Sequence, residues 1–396
     1  MYSSDRMVEM DATNRLGVAL RAARVPAFHA MAMSARAGEL ERAGHDVLRL
    51  ELGQPATGAP VGARRAVIAA LEAEQPLGYT NAPGRDDLVE RIGRHYDESY
   101  GIRVQPADVV VVAGASAGFS LAFLAAFDAG DRVGVLEPGY PCYRNALLAL
   151  GVEPVPIAVG PENRWAPTSE LLDAAGPLDG LVIASPSNPT GTVCRDDTLA
   201  AIGRWCADHD VQLIADEIYH GITHHEPAPT VLAHRREAVV VNSFSKYFSM
   251  TGWRLGWMVV PDHLKDAVER LQQNLYICAP HVSQIAGLAA FDCRDELDAH
   301  VRRYSEHREI LISGLAAAGF DSIAEADGAF YVYADVSRLG IDSMSLCGRW
   351  LDEIGVACTP GIDFDLRRGD RYVRFSYAGS RRAVEEACVR LGRWHP

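Results

Sequence analysis

The chain has 396 residues, of which 48% are hydrophobic and 23% charged, and it carries a formal net charge of −14. That length holds two lobes, or one large core with a smaller one, and the composition has no signature of disorder. The acidic balance without a Lys/Arg-rich block argues against nucleic acid, and no apolar run reaches the about 18 residues of a membrane span.

The N-terminal stretch "MYSSDRMVEMDATNRLG" is polar and lacks the apolar centre of a signal peptide. Eight cysteines are scattered with no CxxC pair, which reads as reduced thiols in the cytoplasm. Residues 18–46 read as one amphipathic helix ended by Gly44, and "DVLRLELGQPATGAP" as a short strand running into a Gly/Pro loop. The chain then alternates. "DVVVVAGASAG" is a strand, a turn and the start of a helix over roughly 116–127. "DRVGVLEPGYP" is a strand and loop before a helix through 150, and "LDGLVIASPSNPTGT" another strand and loop. A helix near 197–208 leads into "VQLIADEIY", "AVVVNSFSK" and "RLGWMVV". These short apolar runs with helices between them predict an α/β fold with a mostly parallel sheet covered on both faces. From about residue 283 long helices take over, followed by "GAFYVYADV" and "DRYVRFSYA", an α+β lobe that packs with the N-terminal helix. The expected division is 1–52, 53–285 and 286–396.

In open α/β sheets ligands bind beyond the carboxyl ends of the strands. The residues following each predicted strand are "GAS" (114–116), "EPGY" (137–140), "SPSN" (185–188), "DEIY" (216–219) and "SFSK" (243–246). Gly114, Ala115, Ser116, Tyr140, Asn188, Asp216, Tyr219, Ser243 and Lys246 should therefore share one rim. A lysine amine there, desolvated or near other cations, can bond to an aldehyde. Pyridoxal 5′-phosphate matches the set. Its phosphate suits the helix start at "GAS" with Ser243, its ring suits Tyr140, its pyridine nitrogen suits Asp216, and its ring oxygen suits Asn188 and Tyr219.

With these residues in place, the sequence resembles the class I/II aminotransferases, the fold-type I pyridoxal phosphate enzymes related to aspartate aminotransferase. "SFSKYFSMTGWRLG" follows the family's lysine signature with Arg254 eight residues after Lys246, and "SPSNPTG" and "DEIY" follow in order and spacing. The resemblance runs from "LGQPATGAP" through "GYTNAPGRDDLVERI" to "RYVRFS". It implies a large domain with a seven-stranded sheet and a smaller α+β domain. It makes Lys246 the Schiff-base lysine, Asp216 the partner of the ring nitrogen, and Asn188 and Tyr219 donors to the ring oxygen. Tyr140 stacks on the ring, while Ser116, Ser243 and Arg254 bind the phosphate. Tyr79 reaches the neighbouring subunit's phosphate, which implies a homodimer with shared sites. Arg374 takes the substrate carboxylate, with the Gly53 backbone beside it. "LGQP" stands where many members carry an acid, and "GAS" offers a single hydroxyl.

The implied activity moves an amino group between an L-amino acid and a 2-oxo acid, with broad or neutral donor use expected. The same residues also suit a β-eliminating (C–S lyase) or cyclising enzyme. "VVVVAGASAG" with Glu137 imitates a dinucleotide-binding unit, but lacks G-x-G-x-x-G and leaves Lys246, Asp216 and Asn188 without roles. A non-catalytic regulator on the same scaffold fits less well with an intact lysine. His220, His224 and His225 in "YHGITHHEP" read as loop residues rather than metal ligands, because no cysteine or carboxylate completes a set.

Overall fold

The computed structural model describes residues 17–395, so the N-terminal stretch 1–16 lies outside the described residues. Twelve strands occur in chain order: β1 (Leu48–Arg49), β2 (Val109–Val112), β3 (Arg132–Glu137), β4 (Glu153–Ala158), β5 (Gly180–Ala184) and β6 (Gln212–Asp216). They continue with β7 (Val239–Ser243), β8 (Gly256–Val259), β9 (Tyr331–Asp335), β10 (Val356–Ala357), β11 (Thr359–Pro360) and β12 (Tyr372–Ser376). Seven of them form the central sheet, in the order β2-β8-β7-β6-β5-β3-β4. Only β8 runs antiparallel to its neighbours, so the mostly parallel sheet expected from the sequence is present.

Strand period explains why the runs read as continuously apolar. Val109, Val111, Leu181, Ile183, Leu213 and Val240 face one core, while Val110, Val112, Val182, Ile214, Val239 and Val241 face the other. A sheet covered on both sides needs an apolar residue at every position. The exception is β4, which the sequence reading did not pick out. Its "EPVPIA" holds two prolines, and it sits at the sheet edge paired only with β3, where a missing N–H costs no ladder bond.

The smaller lobe is an antiparallel sheet ordered β11-β12-β9, joined by a two-stranded parallel pairing of β1 with β10 at Leu48↔Val356. Its core gathers Met33, Ala37, Leu48 and Leu50 from the N-terminal side with Trp350, Phe375 and Leu391. The long helix Arg294–Ala317 joins the two cores. Leu297 packs under the large sheet, while Tyr304, Leu311 and Leu315 pack in the small lobe. No helix among the described residues is long and apolar enough to cross a membrane.

The predicted helix over 18–46 is two helices, Leu20–Ala23 and His29–Arg42. Pro26 interrupts them, because it lacks an N–H and disfavours helix at the residue before it. The second helix starts on Asp363 of the small lobe, whose carboxylate accepts from His29 N at 2.9 Å and Ala30 N at 2.7 Å. Phe28 is thereby held edge-on to Tyr140 at a ring separation of 6.5 Å. Asp363→Ala should leave the fold intact but remove bonds worth about 2 kcal/mol or more, so limited proteolysis around residues 20–30 should accelerate by about tenfold or more.

Candidate active site

The strand ends of the large sheet converge as their topology requires. β2 leads into Gly114, the residue before the helix Ala115–Ala126, and β3 leads to Tyr140, the residue before the helix Pro141–Leu150. β6 ends on Asp216 and β7 on Ser243, three residues before Lys246. Because β8 is reversed, its start lies on the same rim, and Arg254 lies two residues before it. The rim opens on a cavity of about 420 Å³. Gly53, Ala115, Ser116, Tyr140, Asn188, Asp216, Tyr219, Ser243, Lys246, Arg254 and Arg374 all line it. Gly114 stands behind them. Its φ of +85° suits glycine, and a Cβ there would collide with the Arg254 guanidinium. Tyr79 is the other predicted residue that does not line the cavity; it is 82% exposed.

Lys246 Nζ donates to the Gly53 carbonyl at 2.5 Å. Loss of water pushes its pKa down to about 8, helped by the nearby Arg374 and Arg254 and opposed by Asp216. An amine of that pKa is partly neutral near pH 8 and available as a nucleophile. Asp216 is buried and pushed the other way, up to about 6, by burial that its hydrogen bonds and Lys246 only partly offset. It accepts from the Tyr143 hydroxyl and from Ile218 N at 3.0 Å. A buried carboxylate in this state gains from any cation brought beside it.

Arg374, on β12, is only 3% exposed. Its hydrogen bonds are all to neutral oxygens: Asn188 Oδ1 at 2.9 Å, Glu51 O at 2.7 Å and Thr359 Oγ1 at 3.1 Å. Its Nε is buried without a partner. A desolvated guanidinium held this way is an acceptor site for a carboxylate. It also orients Asn188, since an amide oxygen committed to Arg374 leaves the NH₂ group for another acceptor. On the opposite side, no side chain caps the helix starting at Ala115. Its first N–H groups, the Ser116 hydroxyl and Arg254 together form an anion cup. Ser243 Oγ lies within hydrogen-bond reach of Ser245 Oγ (2.9 Å) and the Leu255 carbonyl (3.1 Å), beside the same cup.

Two of the three histidines in the loop "YHGITHHEP" have other employment. His224 meets Ser305 Oγ through Nδ1 at 2.9 Å and the Tyr377 hydroxyl through Nε2 at 2.8 Å. His220 is buried with Nδ1 at 2.7 Å from the Tyr100 hydroxyl. Among the described residues no group of three or more candidate ligands is placed to hold a metal.

Among the side chains at the cavity that sequence reasoning missed are Phe28, Met31, Tyr143 and Tyr331. Tyr143 could have been found from its place one helical turn after Tyr140. Tyr331 lay in "GAFYVYADV", read only as a strand, and its hydroxyl is 2.7 Å from that of Tyr219. Phe28 and Met31 carry no local signal, because only the break at Pro26 and the Asp363 anchor bring them over the cavity.

Comparison with known proteins agrees with this geometry. The family described as aminotransferase class I and II matches residues 45–391. A valine–pyruvate aminotransferase of Mycobacterium tuberculosis is 50% identical over 384 residues, spanning 96% of this chain and 98% of that protein. A crystal structure of an aminotransferase from Mycobacterium tuberculosis superposes with a TM-score of 0.92 at 49% identity, covering 96% of this chain and 98% of that one. The aspartate aminotransferase of Thermus thermophilus, solved with maleate, gives a TM-score of 0.90 at 30% identity, covering 95% of this chain and 99% of that one.

The Asp216 carboxyl makes a signed prediction for the protein without bound ligand. Its folded pKa stands above the unfolded value of 3.8, at about 6, so the folded chain holds the proton more tightly. Stability linked to it is full below pH 3.8 and is lost as pH rises through about 6, a difference of about 3 kcal/mol. Asp216→Asn should therefore raise the thermal midpoint of the ligand-free protein at pH 7–8 and bring no such gain at pH 4, measured by denaturation scans across that range.

Proposed function

The chain belongs to the class I and II aminotransferases, and on that footing we propose that it works with pyridoxal 5′-phosphate held at Lys246, moving the amino group of valine or a similar apolar amino acid onto pyruvate. It is an aminotransferase; the cofactor, the residue roles and the substrate pair are this reading's own. The observation that carries it is one cavity holding a partly neutral lysine, a buried carboxylate short of a cation, and a buried guanidinium short of an anion.

The residues present fit the cofactor. Asp216 would hold the proton on the pyridine nitrogen, which supplies the cation that buried carboxylate lacks. The Asn188 NH₂ group and the Tyr219 hydroxyl would face the ring oxygen, and Tyr140 would cover a ring face. The first N–H groups of the helix at Ala115, with Ser116, Ser243 and Arg254, would hold the phosphate, as hydroxyl hydrogens rotate freely to donate. When bound, pyridoxal phosphate supplies an aldehyde that captures amino groups and a ring that spreads the electrons left when Cα loses its proton.

The chain's own residues do the rest. Arg374 grips the substrate α-carboxylate, turning its unmatched charge into binding energy and fixing the orientation of Cα. Lys246 Nζ takes the Cα proton and later returns it, and its depressed pKa suits both directions near neutral pH. Around the cavity mouth Phe28, Met31 and Leu52 offer apolar surface to the substrate side chain, in keeping with a branched neutral donor.

A cytoplasmic homodimer completes the reading. Tyr79 is exposed and free to enter a neighbouring copy, and Val61, Ile68 and Leu71 form an uncovered apolar stripe on the helix Val61–Glu72. Eight free cysteines suit a reducing compartment.

With valine and pyruvate, purified protein supplied with pyridoxal phosphate should form alanine and 3-methyl-2-oxobutanoate in equal amounts; pyruvate and ammonia released from serine or cysteine instead would overturn the reading. Lys246→Ala should lose this activity and the covalent attachment seen on borohydride reduction. The rate of that attachment in the parent protein should climb with pH until about 8 and then level, because the neutral amine accumulates there. Arg374→Lys should raise the KM for valine by about 10–100-fold, since an ammonium cannot reproduce the two-pronged contact.

A further inference from the structure

Tyr331 joins three parts of the site that come from different regions of the chain. It opens β9 and is buried, with its hydroxyl 2.7 Å from that of Tyr219. The Arg374 guanidinium lies 4.4 Å over its ring. Its hydroxyl end fits against Gly53, where any Cβ would collide with it, and the Gly53 carbonyl is the group that holds Lys246 Nζ.

Two phenols sharing one hydrogen bond have two protons and room for one between them. If Tyr219 donates, its oxygen presents only lone pairs to the cavity. If Tyr331 donates, the Tyr219 hydrogen is free to point into the cavity. An anionic oxygen bound there disfavours the first order and accepts a hydrogen bond in the second. Arg374 biases the pair in the same direction. Burial raises the pKa of both phenols; the Arg374 charge is the chief influence opposing this at Tyr331, whereas at Tyr219 its opposition ranks below the raising effects of Tyr331 itself. The more acidic phenol is the better donor, and a donor that itself accepts a bond donates more strongly.

We propose that Tyr331 is a positioning residue for the transamination: its hydroxyl donates to Tyr219, and so aims the Tyr219 hydrogen at an anionic oxygen bound in the cavity. The inference rests on the pyridoxal phosphate reading, in which that oxygen belongs to the cofactor ring. Stabilising it as an anion makes the neighbouring nitrogen proton easier to lose, so the bound chromophore titrates at lower pH than it would without the relay.

The test is an absorbance titration of the holoenzyme between about pH 5 and 9, comparing the parent protein with Tyr331→Phe, Tyr219→Phe and the double variant. Tyr331→Phe should raise the chromophore midpoint by about 0.3–1 pH unit, less than Tyr219→Phe does, and lower kcat while KM for valine stays within about twofold. The double variant should match Tyr219→Phe alone, because the relay acts through one hydroxyl. A midpoint that moves in Tyr219→Phe but not in Tyr331→Phe overturns the proposal, as do shifts that add in the double variant. A raised KM with an unmoved midpoint would reduce Tyr331 to a support for Arg374 and also overturns it. If Tyr219→Phe leaves the midpoint unchanged, or the parent protein binds no chromophore, the cofactor reading itself fails and this inference falls with it.

Discussion

Burying charge without full compensation is the constraint on which the site depends. Lys246, Asp216 and Arg374 share one cavity, and each is denied something that water would have given it. Lys246 loses hydration and has Arg374 and Arg254 near it. Asp216 keeps two hydrogen bonds but no full counter-charge. Arg374 hydrogen-bonds only to neutral oxygens and leaves Nε without a partner. In a low-dielectric setting such groups are costly when empty-handed, and they favour any ligand that carries the missing charges. In the proposed reading, the ring nitrogen and phosphate of the cofactor and the carboxylate of the substrate supply those charges.

The rest of the architecture keeps these groups from relaxing. Asp216 and Ser243 are the last residues of buried central strands, and the ladder fixes Asp216 from both neighbours and Ser243 from β8. Arg374 comes from the other lobe, on the middle strand of a three-stranded sheet, and bridges to Asn188 across the gap between lobes. Holding the guanidinium therefore also ties the small lobe to the large one. The N-terminal segment follows the same logic: β1 pairs with β10, and Asp363 anchors the helix at His29, so Phe28 and Met31 reach the cavity from the small-lobe side. The apolar surface of Phe28 and Met31 and the guanidinium of Arg374 thus come from the same body.

Legibility in the sequence followed the range of the interactions. Strand ends and the turns after them are local, so Ser116, Tyr140, Asn188, Asp216, Ser243 and Lys246 could be assigned to one rim from order alone, and the cavity does contain them. Tyr143 was within reach too, one turn beyond Tyr140, but an apolar helix face offers many such tyrosines. Tyr331 was out of reach, because nothing in "GAFYVYADV" marks one inward-facing aromatic from its neighbours Phe330 and Tyr333. β4 was hidden by its two prolines, tolerable only because the strand lies at an edge.

By itself the sequence determined the mostly parallel sheet and the chemical inventory along its rim, because side-chain period and turn residues act over a few positions. Tertiary structure alone decided how that inventory is wired. The Gly53 carbonyl under Lys246, the Arg374 bond that turns Asn188, the Tyr331–Tyr219 contact and the Phe28 wall each join residues more than 100 positions apart. No local pattern encodes such a pairing; it exists only once both lobes have closed on their cores and left these few polar groups with no other partner.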